Sequence, residues 1–350
     1  MTTSLEQAVE GTQPRRHRDL IGRLLPWILL AAAVGLSFRF GKYPVSLADL
    51  WTLGSDRLNG RQGGMDPVAA QVIWNIRLPR VLASVLVGAA LSAAGAAFQG
   101  LFRNPLVSPD ILGVSAGAGA GAVFAILLGL PVYAIEGAAF AGGLAAVTAA
   151  WAISTCLRRR DPALVLVLAG ICLDKLLLAL TSLMKLYADP YSQLPTITYW
   201  LMGGLNGTGW TDLLAATPPV LMGLLILVLL RWQMNVISLG EEEARSLGVD
   251  TGLLRGLMVL AATLMTAASV ALAGPVGWVG LVVPHIARML VGPDFRRLLP
   301  TSLLLGAGFV TVMDCLARVA GIIELPLGLY TAVVGAPFFL WLLASARRGW

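Results

Sequence analysis

The sequence has 350 residues, of which 57% are hydrophobic and only 13% are charged. Soluble domains carry about 25% charged and about 45–50% apolar residues, so a water-soluble core cannot hold this excess of apolar side chains. The composition excludes a soluble globular protein and predicts an all-α protein that crosses a membrane many times. The formal net charge of +6 is then better explained by membrane topology than by nucleic-acid binding.

A transmembrane helix needs about 20 mostly apolar residues. Ten segments meet or nearly meet this requirement, at residues 20–38, 81–102, 111–130, 134–157, 164–186, 213–230, 253–273, 276–290, 298–319 and 327–346. The third segment is rich in glycine, and the eighth is short and contains Pro284. We expect a single transmembrane domain over residues 20–350, with all ten spans in it.

Residues 1–19 are polar and predict a loose cytoplasmic tail. The basic stretch before the apolar run could also belong to a cleaved signal peptide that ends near Ala31–Ala33. The run continues unbroken to Phe38, which favours a first span that is retained.

Positive charges predict the orientation of the spans, because cytoplasmic loops are enriched in lysine and arginine. With the N-terminus inside, sixteen of the 25 Lys and Arg residues fall in cytoplasmic segments, eight in outer segments, and Lys175 within a span. This bias predicts that both termini are cytoplasmic.

Two outer segments carry signals of local structure. In the first, residues 39–76, Ser46 and Asp49 have the spacing of a capping box and predict a short surface helix. In the second, residues 187–211, interfacial aromatics and four glycines predict a sharp turn with one helical turn. Cys156, Cys172 and Cys315 occur singly in apolar segments, which favours buried small hydrophobic side chains over a disulfide or a metal cluster.

The segment Asn75–Gly121 contains small residues spaced four apart, a pattern that lets helix backbones approach closely in a bilayer. Arg77 and Arg80 lie three apart at its start, on one helix face at the predicted outer end of the second span. Arg318 lies near the outer end of the ninth span, four residues after Asp314. Snorkelling and an intrahelical Asp314–Arg318 ion pair would explain these cations without a partner protein.

Asp174 and Lys175 lie within the fifth span, where ionisable groups are costly and usually face the bundle interior or water. One of them could lie on a translocation path, or the two could pair with a neighbouring helix. Because adjacent helical residues diverge, we expect them not to point the same way.

The largest cytoplasmic segment, from Arg231 to about Gly252, predicts a short helix that begins with three glutamates and is bracketed by Gly240 and Gly248. The acidic start and Arg245 near the end suit the helix dipole. A solvated helix without a partner would show the same charges.

Five motifs in sequence resemble the FecCD family of permeases, the membrane subunits of ABC importers for iron-siderophores, haem and cobalamin. They are Asn75–Gly121; Leu239–Gly248 as L-G-x-x-x-A-x-x-L-G; residues 274–285 as G-x-x-G-F-x-G-L-x-x-P-H, with Trp278 in place of phenylalanine; Glu324–Gly328 as E-L-P-x-G; and Gly335–Phe339 as G-A-P-x-F. The resemblance extends from about residue 70 to residue 346.

The resemblance implies roles for three groups of residues. Arg77, Arg80 and Arg318 would receive acidic groups of a substrate-binding protein. The segment that docks on the ATPase subunit would comprise Leu239, Gly240, Glu241, Glu242, Ala244, Arg245, Leu247 and Gly248. Helix packing and the translocation path would use Gly88, Ser92, Gly113, Ser115, Gly117, Gly121, Gly274, Pro275, Gly277, Gly280 and Pro284. His285 is expected to be structural.

The resemblance also implies an assembly in the inner membrane, in contact with membrane lipid. A second permease subunit, identical or not, two ABC ATPase subunits, and a periplasmic or lipoprotein substrate-binding protein would complete it. No cofactor or protein-bound metal is expected, because the metal travels inside its chelator. Ferric siderophore is the expected cargo, with haem, cobalamin and molybdate as alternatives.

Two other classes of function fit parts of the sequence. Gly113–Gly117 fits the G-x-S-x-G pattern around a serine nucleophile, but the only histidines are His17 and His285 and the serine is predicted to lie in a helix. A secondary transporter would need intramembrane carboxylates, of which Asp174 and Asp314 are the main candidates. Since no Walker phosphate loop is present, ATP hydrolysis is expected on a separate subunit.

Overall fold

The computed structural model describes residues 13–41, 43, 52, 55, 66–157, 162–321 and 323–345. Across these residues the chain forms twelve helices and no strand. The predicted surface helix at Ser46–Asp49 lies outside the described residues.

The helices are numbered here in chain order. They are α1 (Gln13–Arg39), α2 (Pro67–Leu101), α3 (Val114–Leu127), α4 (Val132–Cys156), α5 (Pro162–Leu186), α6 (Gln193–Leu201), α7 (Trp210–Ile237), α8 (Glu241–Ser246), α9 (Thr251–Ala273), α10 (Val279–Val291), α11 (Phe295–Val319) and α12 (Leu327–Ser345). A 3₁₀ turn, Pro109–Leu112, precedes α3.

Each of the ten predicted spans overlaps one of these helices, although the bounds differ. Six of them (α2, α4, α5, α7, α9 and α11) are long and apolar enough to cross a membrane. The other four helices (α1, α3, α10 and α12) contain shorter apolar stretches of 10–17 residues. The short pair α3 and α10 corresponds to the glycine-rich third segment and the proline-containing eighth segment, so the expected all-α polytopic fold is confirmed.

Helix α2 begins earlier than expected. The sequence predicted a span from residue 81, whereas the helix starts at Pro67, after the Asp66 side chain, which accepts a hydrogen bond from the Val68 N–H at 3.2 Å. An aspartate cap followed by proline in the first helical position is a strong start signal that hydropathy alone misses. Residues Val72–Arg77 form a π-helical stretch just before Pro79, which has no N–H to donate to the preceding turn.

Close backbone contacts hold the central helices together. A Cβ on Gly88 would lie 2.1 Å from the carbonyl oxygen of Gly306 in α11. A Cβ on Gly95 would lie 1.9 Å from the carbonyl oxygen of Gly280 in α10. Any side chain at these positions would force the helices apart, so α2 packs against α11 and α10 through nearly bare backbone. The α3–α4 pair is built the same way, with Gly117 against Gly142.

The helices differ strongly in how much of their apolar surface the chain itself covers. The most apolar window of α9 is 83% buried and that of α5 only 17% buried. Helices α2 and α9 form the centre of the bundle, and α5 lies at its edge, against α3, α4 and the 3₁₀ turn. Cys156 and Cys172 are exposed on these outer helices, so the expectation that all three cysteines are buried holds only for Cys315.

The segment between α5 and α7 forms a short helix and a glycine-containing turn. It contains α6 and then two glycines with positive φ, Gly203 at +72° and Gly207 at +79°. The Gly204 N–H donates to the Ala273 carbonyl at the end of α9. The predicted sharp turn is therefore present, and its helical part is nine residues long.

Candidate functional site

Four charged side chains meet between α2 and the end of α11. Arg80 donates from Nε to Asp314 Oδ1 at 2.9 Å and from its terminal nitrogen to Glu324 Oε2 at 2.9 Å. On the other side of the same carboxylate, Arg318 Nε lies 3.1 Å from Asp314 Oδ2. The expected intrahelical Asp314–Arg318 pair is thus present, and Asp314 also binds a second arginine from another helix.

Arg77 lies close to this cluster but uses different partners. It ends the π-helical stretch, and its guanidinium donates to the backbone carbonyls of Phe38 and Tyr43. Arg318 likewise donates to Ser37 of α1. Arg77, Arg80 and Arg318 are only 4%, 7% and 5% exposed. All three are therefore engaged inside the chain, and they attach the end of α1 to α2 and α11.

A second polar group lies where the 3₁₀ turn packs on the middle of α5. Ser115 donates to the Asp110 carboxylate. Gly113, at φ +80°, starts α3 beside Asp174, with only 3.5 Å between its ideal Cβ position and the Asp174 nitrogen. Non-helical backbone at this depth is tolerated where it is buried in protein or lines a water-filled cavity.

Asp174 and Lys175 pair with each other. The Lys175 ammonium lies 3.0 Å from Asp174 Oδ2, so the expectation that these adjacent side chains diverge was wrong. The long lysine stem lets the ammonium reach back along the helix. Of the Lys175 side chain, 73% is exposed, and among the described residues neither group is recorded with a partner on a neighbouring helix.

The glycine- and proline-rich segment before α10 is an irregular stretch between two spans. Gly274 has φ +64° and packs on the Trp200 carbonyl, while Pro275 and Gly277 continue without helical structure. Trp278 begins α10 with φ +70°, an uncommon conformation for a large residue, and its ring packs on Phe339 of α12. Gly280 meets Leu91 of α2, and Ser92 donates to the Ser302 carbonyl of α11.

In the second half of this segment, Pro284 is buried inside α10 and His285 is half-buried beside it. In α3, Gly121 packs on the Ala138 carbonyl of α4. The small residues selected from the sequence therefore lie at helix contacts or at breaks between helices.

The segment Leu239–Gly248 forms α8 at the opposite end of the bundle from the arginine cluster. Gly240 precedes the helix with φ +145°, and Gly248 follows it with φ +79°, conformations that favour glycine. Ala244 is fully buried, whereas Leu239 and Leu247 are 63% and 56% exposed. With the exposed Glu242 and Glu243, the two leucines form a projecting apolar and acidic surface, which we call the α8 surface.

Helix α8 is tied to the following span by an ion pair. Glu241, its first residue, binds Arg255 of α9, and Arg245 donates to Thr251 at 3.2 Å. Nearby, Asn235 near the end of α7 donates to Asp294, the cap of α11, at 2.7 Å. The backbone N–H of Arg296 and this Asn235 amide lower the pKa of the Asp294 carboxyl. Through Glu241 and Arg245, α8 is thus fixed to α9 by side-chain contacts.

Sequence reasoning missed several partners in these sites. Glu324 was noted only as part of a motif, and Arg255, Asp110 and Ser37 were not selected at all. Glu324, Arg255 and Ser37 meet partners on other helices, which no spacing rule identifies, whereas Asp110 meets the nearby Ser115 across the break between the 3₁₀ turn and α3. The Asp66–Pro67 start of α2 was the one local signal that could have been used.

The sequence is similar to those of known membrane transport proteins. The model of the FecCD transport family matches residues 29–345. The molybdate import system permease MolB of Haemophilus influenzae is 37% identical over 337 residues, covering 96% of this chain and 98% of MolB. The cobalamin import system permease BtuC of Halobacterium salinarum is 44% identical over 283 residues, covering 81% of this chain and 76% of BtuC.

The fold also matches a solved structure. The chain aligns with an inward-facing ABC transporter assigned to the metal-chelate type, with a TM-score of 0.82 and 36% sequence identity. The alignment covers 91% of this chain and 97% of the solved one.

Proposed function

The chain belongs to the FecCD transport family, and from that premise we propose that it is the path-forming subunit of an importer whose cargo is a ferric siderophore. As a family member it is a multi-pass inner-membrane permease of an ABC importer, in a group whose members import molybdate, cobalamin or metal chelates. The α8 surface carries the proposal, since its leucines and glutamates project from a helix that Ala244 and the Glu241–Arg255 pair hold in place.

The α8 surface is the proposed contact for an ABC ATPase subunit. Leu239 and Leu247 are exposed next to two glutamates, while Ala244 and the Glu241–Arg255 pair hold the helix in place. Exposed apolar anchors within a polar surround are typical of an interface that buries a few strongly contributing side chains. Movement of an attached ATPase would act on α9, the most deeply buried span, through Arg255.

The arginine cluster is the proposed dock for the substrate-binding protein. Arg80 and Arg318 face Asp314 and Glu324 there, and Arg77 adds a third cation bonded to backbone carbonyls, so the cluster itself has more positive than negative groups. Arg77, Arg80 and Arg318 are already bonded inside the chain. An acidic group of the binding protein would therefore either replace Asp314 or Glu324 as a partner of the arginines or bind the arginines in addition to them. Such a contact would contribute to orientation and partner choice more than to affinity.

The translocation path is proposed to run along the exposed face of α5, opposite a second permease subunit. A lysine in the middle of a span is costly in hydrocarbon, so Lys175 needs water or protein around it. The 3₁₀ turn with Asp110 packs on the same helix. A cation at this point suits an anionic cargo such as a ferric chelate, and it would suit molybdate as well.

The remaining parts of the proposal follow from this arrangement. Two ATPase subunits, a substrate-binding protein and a second permease subunit, identical or not, complete the importer. The chain itself is proposed to carry out no chemistry: the Ser115 hydroxyl, the candidate nucleophile, donates to the Asp110 carboxylate and not to a histidine. No cofactor is needed for passage of a chelate.

Reconstitution in vesicles tests the proposal. The chain together with its ATPase subunit and its substrate-binding protein should accumulate the chelate that the binding protein holds only when ATP is supplied. Accumulation at full rate by the chain alone, driven by an ion gradient, would contradict it and support a secondary transporter. Uptake of molybdate or cobalamin, but not of a ferric siderophore, would contradict the cargo assignment alone.

A further inference from the structure

A cavity of about 840 Å³ opens between α4, α7 and α9. It lies within the 300–1,000 Å³ range of small-molecule sites. Its walls are almost entirely apolar, with Phe140, Ala216, Leu264 and Ala268 forming its inner part. Its rim includes the exposed Met222.

The cavity is about one lipid leaflet deep. Its lining extends from Val132 to Phe140 along α4 and from Thr211 to Met222 along α7. At 1.5 Å per residue these stretches span about 12 and about 16 Å. The hydrocarbon core of a bilayer is about 30 Å thick, so the groove accommodates an acyl chain of one leaflet.

The polar side chains of the cavity collect at one end, where two carboxylates lie together with the hydroxyls of Tyr133 and Thr211. Glu136 is in the second turn of α4, and Asp212 is in the first turn of α7. Pro218 and Pro219, also in the lining, have no N–H to donate, so the Ala215 carbonyl in the wall lacks its usual helical donor. No lysine, arginine or histidine belongs to the residues described as lining the cavity.

The two carboxylates differ in how they are satisfied. Asp212 accepts hydrogen bonds from the Gly209 N–H at 2.8 Å and from the Thr211 hydroxyl at 3.1 Å. Glu136 has no hydrogen bond or ion pair recorded within the described part of the chain, although it sits inside a span. A cationic or N–H donating group would compensate for the half-burial of this carboxylate at the head of an apolar groove.

We propose that this groove binds a phospholipid with a primary ammonium headgroup, phosphatidylethanolamine. The ammonium lies at Glu136 and Asp212, and one acyl chain fills the space between α4, α7 and α9. The charge of the head and the depth of the groove together select this ligand: an anionic headgroup would meet two carboxylates, and a quaternary ammonium cannot donate hydrogen bonds. The proposal requires only that the chain lies in a bilayer and does not depend on the cargo.

Lipid retention tests the site. The full chain is reconstituted in vesicles of phosphatidylethanolamine, phosphatidylcholine and phosphatidylglycerol with matched acyl chains, then extracted in mild detergent, and its bound lipids are counted by native mass spectrometry. Wild type should retain phosphatidylethanolamine over phosphatidylcholine. Glu136→Gln should reduce this enrichment at least about tenfold, the effect of losing one hydrogen bond between charged groups.

Two tryptophan variants separate the groove from the rest of the lipid-facing surface. Met222→Trp fills the cavity without changing charge and should also abolish the enrichment. Leu221→Trp, at the next position, is exposed but outside the lining and should keep it. Equal retention of the lipids by wild type, preference for phosphatidylglycerol, unchanged enrichment in Glu136→Gln, or loss in Leu221→Trp would each overturn the proposal.

Discussion

Arg80 and Asp314 are 234 positions apart in the chain, and their side chains lie 2.9 Å apart between α2 and α11. The same carboxylate faces Arg318 on its other side. The Asp314 side chain is 1% exposed, so two arginine side chains form ion pairs with one buried carboxylate. This arrangement joins two of the central spans at the end of the bundle where a binding protein is proposed to dock.

Replacing this acid should destabilise the protein. Asp314→Asn leaves Arg80 and Arg318 buried with less compensation, and breaking a buried ion pair from one side costs about 3–5 kcal/mol. We expect a clear fall in the unfolding temperature of the purified protein, measured by a thermal shift in detergent.

Glu324→Gln is the matched control for Asp314→Asn. Glu324 also binds Arg80, but its side chain is 26% exposed, so water can compensate for part of the lost charge. The shift should therefore be smaller than for Asp314→Asn. Equal shifts for the two variants would show that Asp314 is not the main support of the cluster.

The α8 surface should lose its partner when its exposed leucine becomes charged. Leu247→Asp places a carboxylate beside Glu242 and Glu243 without disturbing any buried side chain of the described chain. Interface anchors typically contribute at least about 2 kcal/mol, so binding of the purified ATPase subunit should weaken about thirtyfold or more. Leu186→Asp, at the exposed end of α5, should leave that affinity unchanged.

A substitution at Ala244 would be a weaker test of the same contact. Ala244 is fully buried, so Ala244→Asp would place a charge inside the segment and disturb its folding. Combined with Glu242→Arg, it would abolish ATP-dependent uptake, yet the loss would not separate docking from misfolding. Unchanged affinity of Leu247→Asp, in contrast, would count directly against docking at α8.

The Glu241–Arg255 pair should matter for coupling more than for docking. Glu241→Gln removes the charge that attaches α8 to α9, and a hydrogen bond between charged groups is worth about 1.5–3 kcal/mol. We expect ATP-driven uptake to fall about tenfold while the ATPase subunit still copurifies with the chain.

A charge exchange provides the control for this pair. The double variant Glu241→Arg with Arg255→Glu keeps opposite charges at the two positions and should recover part of the uptake lost in Glu241→Gln. The loss of uptake in the double variant can be compared with the losses of the two single variants added as free energies. If they are equal, the two residues act independently and the pair does not transmit movement.

The number of spans and their order could be predicted because a run of apolar residues is a local property that hydropathy records. Boundaries were less predictable: Pro67 starts α2 well before residue 81, because a cap and a proline set the start of a helix rather than its apolarity. The Asp174–Lys175 contact was misjudged because helical spacing describes Cβ positions and ignores a long flexible side chain. Cross-helix partners such as Glu324 and Arg255 depend on packing between distant parts of the chain.

Lys175 provides the test of where the path lies. In a chain without its native cysteines, Lys175→Cys should react with a charged, membrane-impermeant thiol reagent when the importer is assembled in vesicles, because a path through water reaches the middle of α5. The reaction rate should change with added ATP if the path opens to alternate sides. Leu168→Cys provides a reference for this reaction rate, because Leu168 is also exposed on α5 and lies about two helical turns from Lys175.

A lipid-soluble thiol reagent shows whether Lys175→Cys instead faces hydrocarbon. If Lys175→Cys reacted only with a lipid-soluble maleimide and was insensitive to nucleotide, that face of α5 would be in hydrocarbon and the proposed path would be wrong. The charge itself can be tested with Lys175→Gln, which keeps a polar side chain but removes the attraction for an anion. Uptake of an anionic chelate should fall more in this variant than uptake of a neutral one, and equal losses would assign Lys175 a structural role instead.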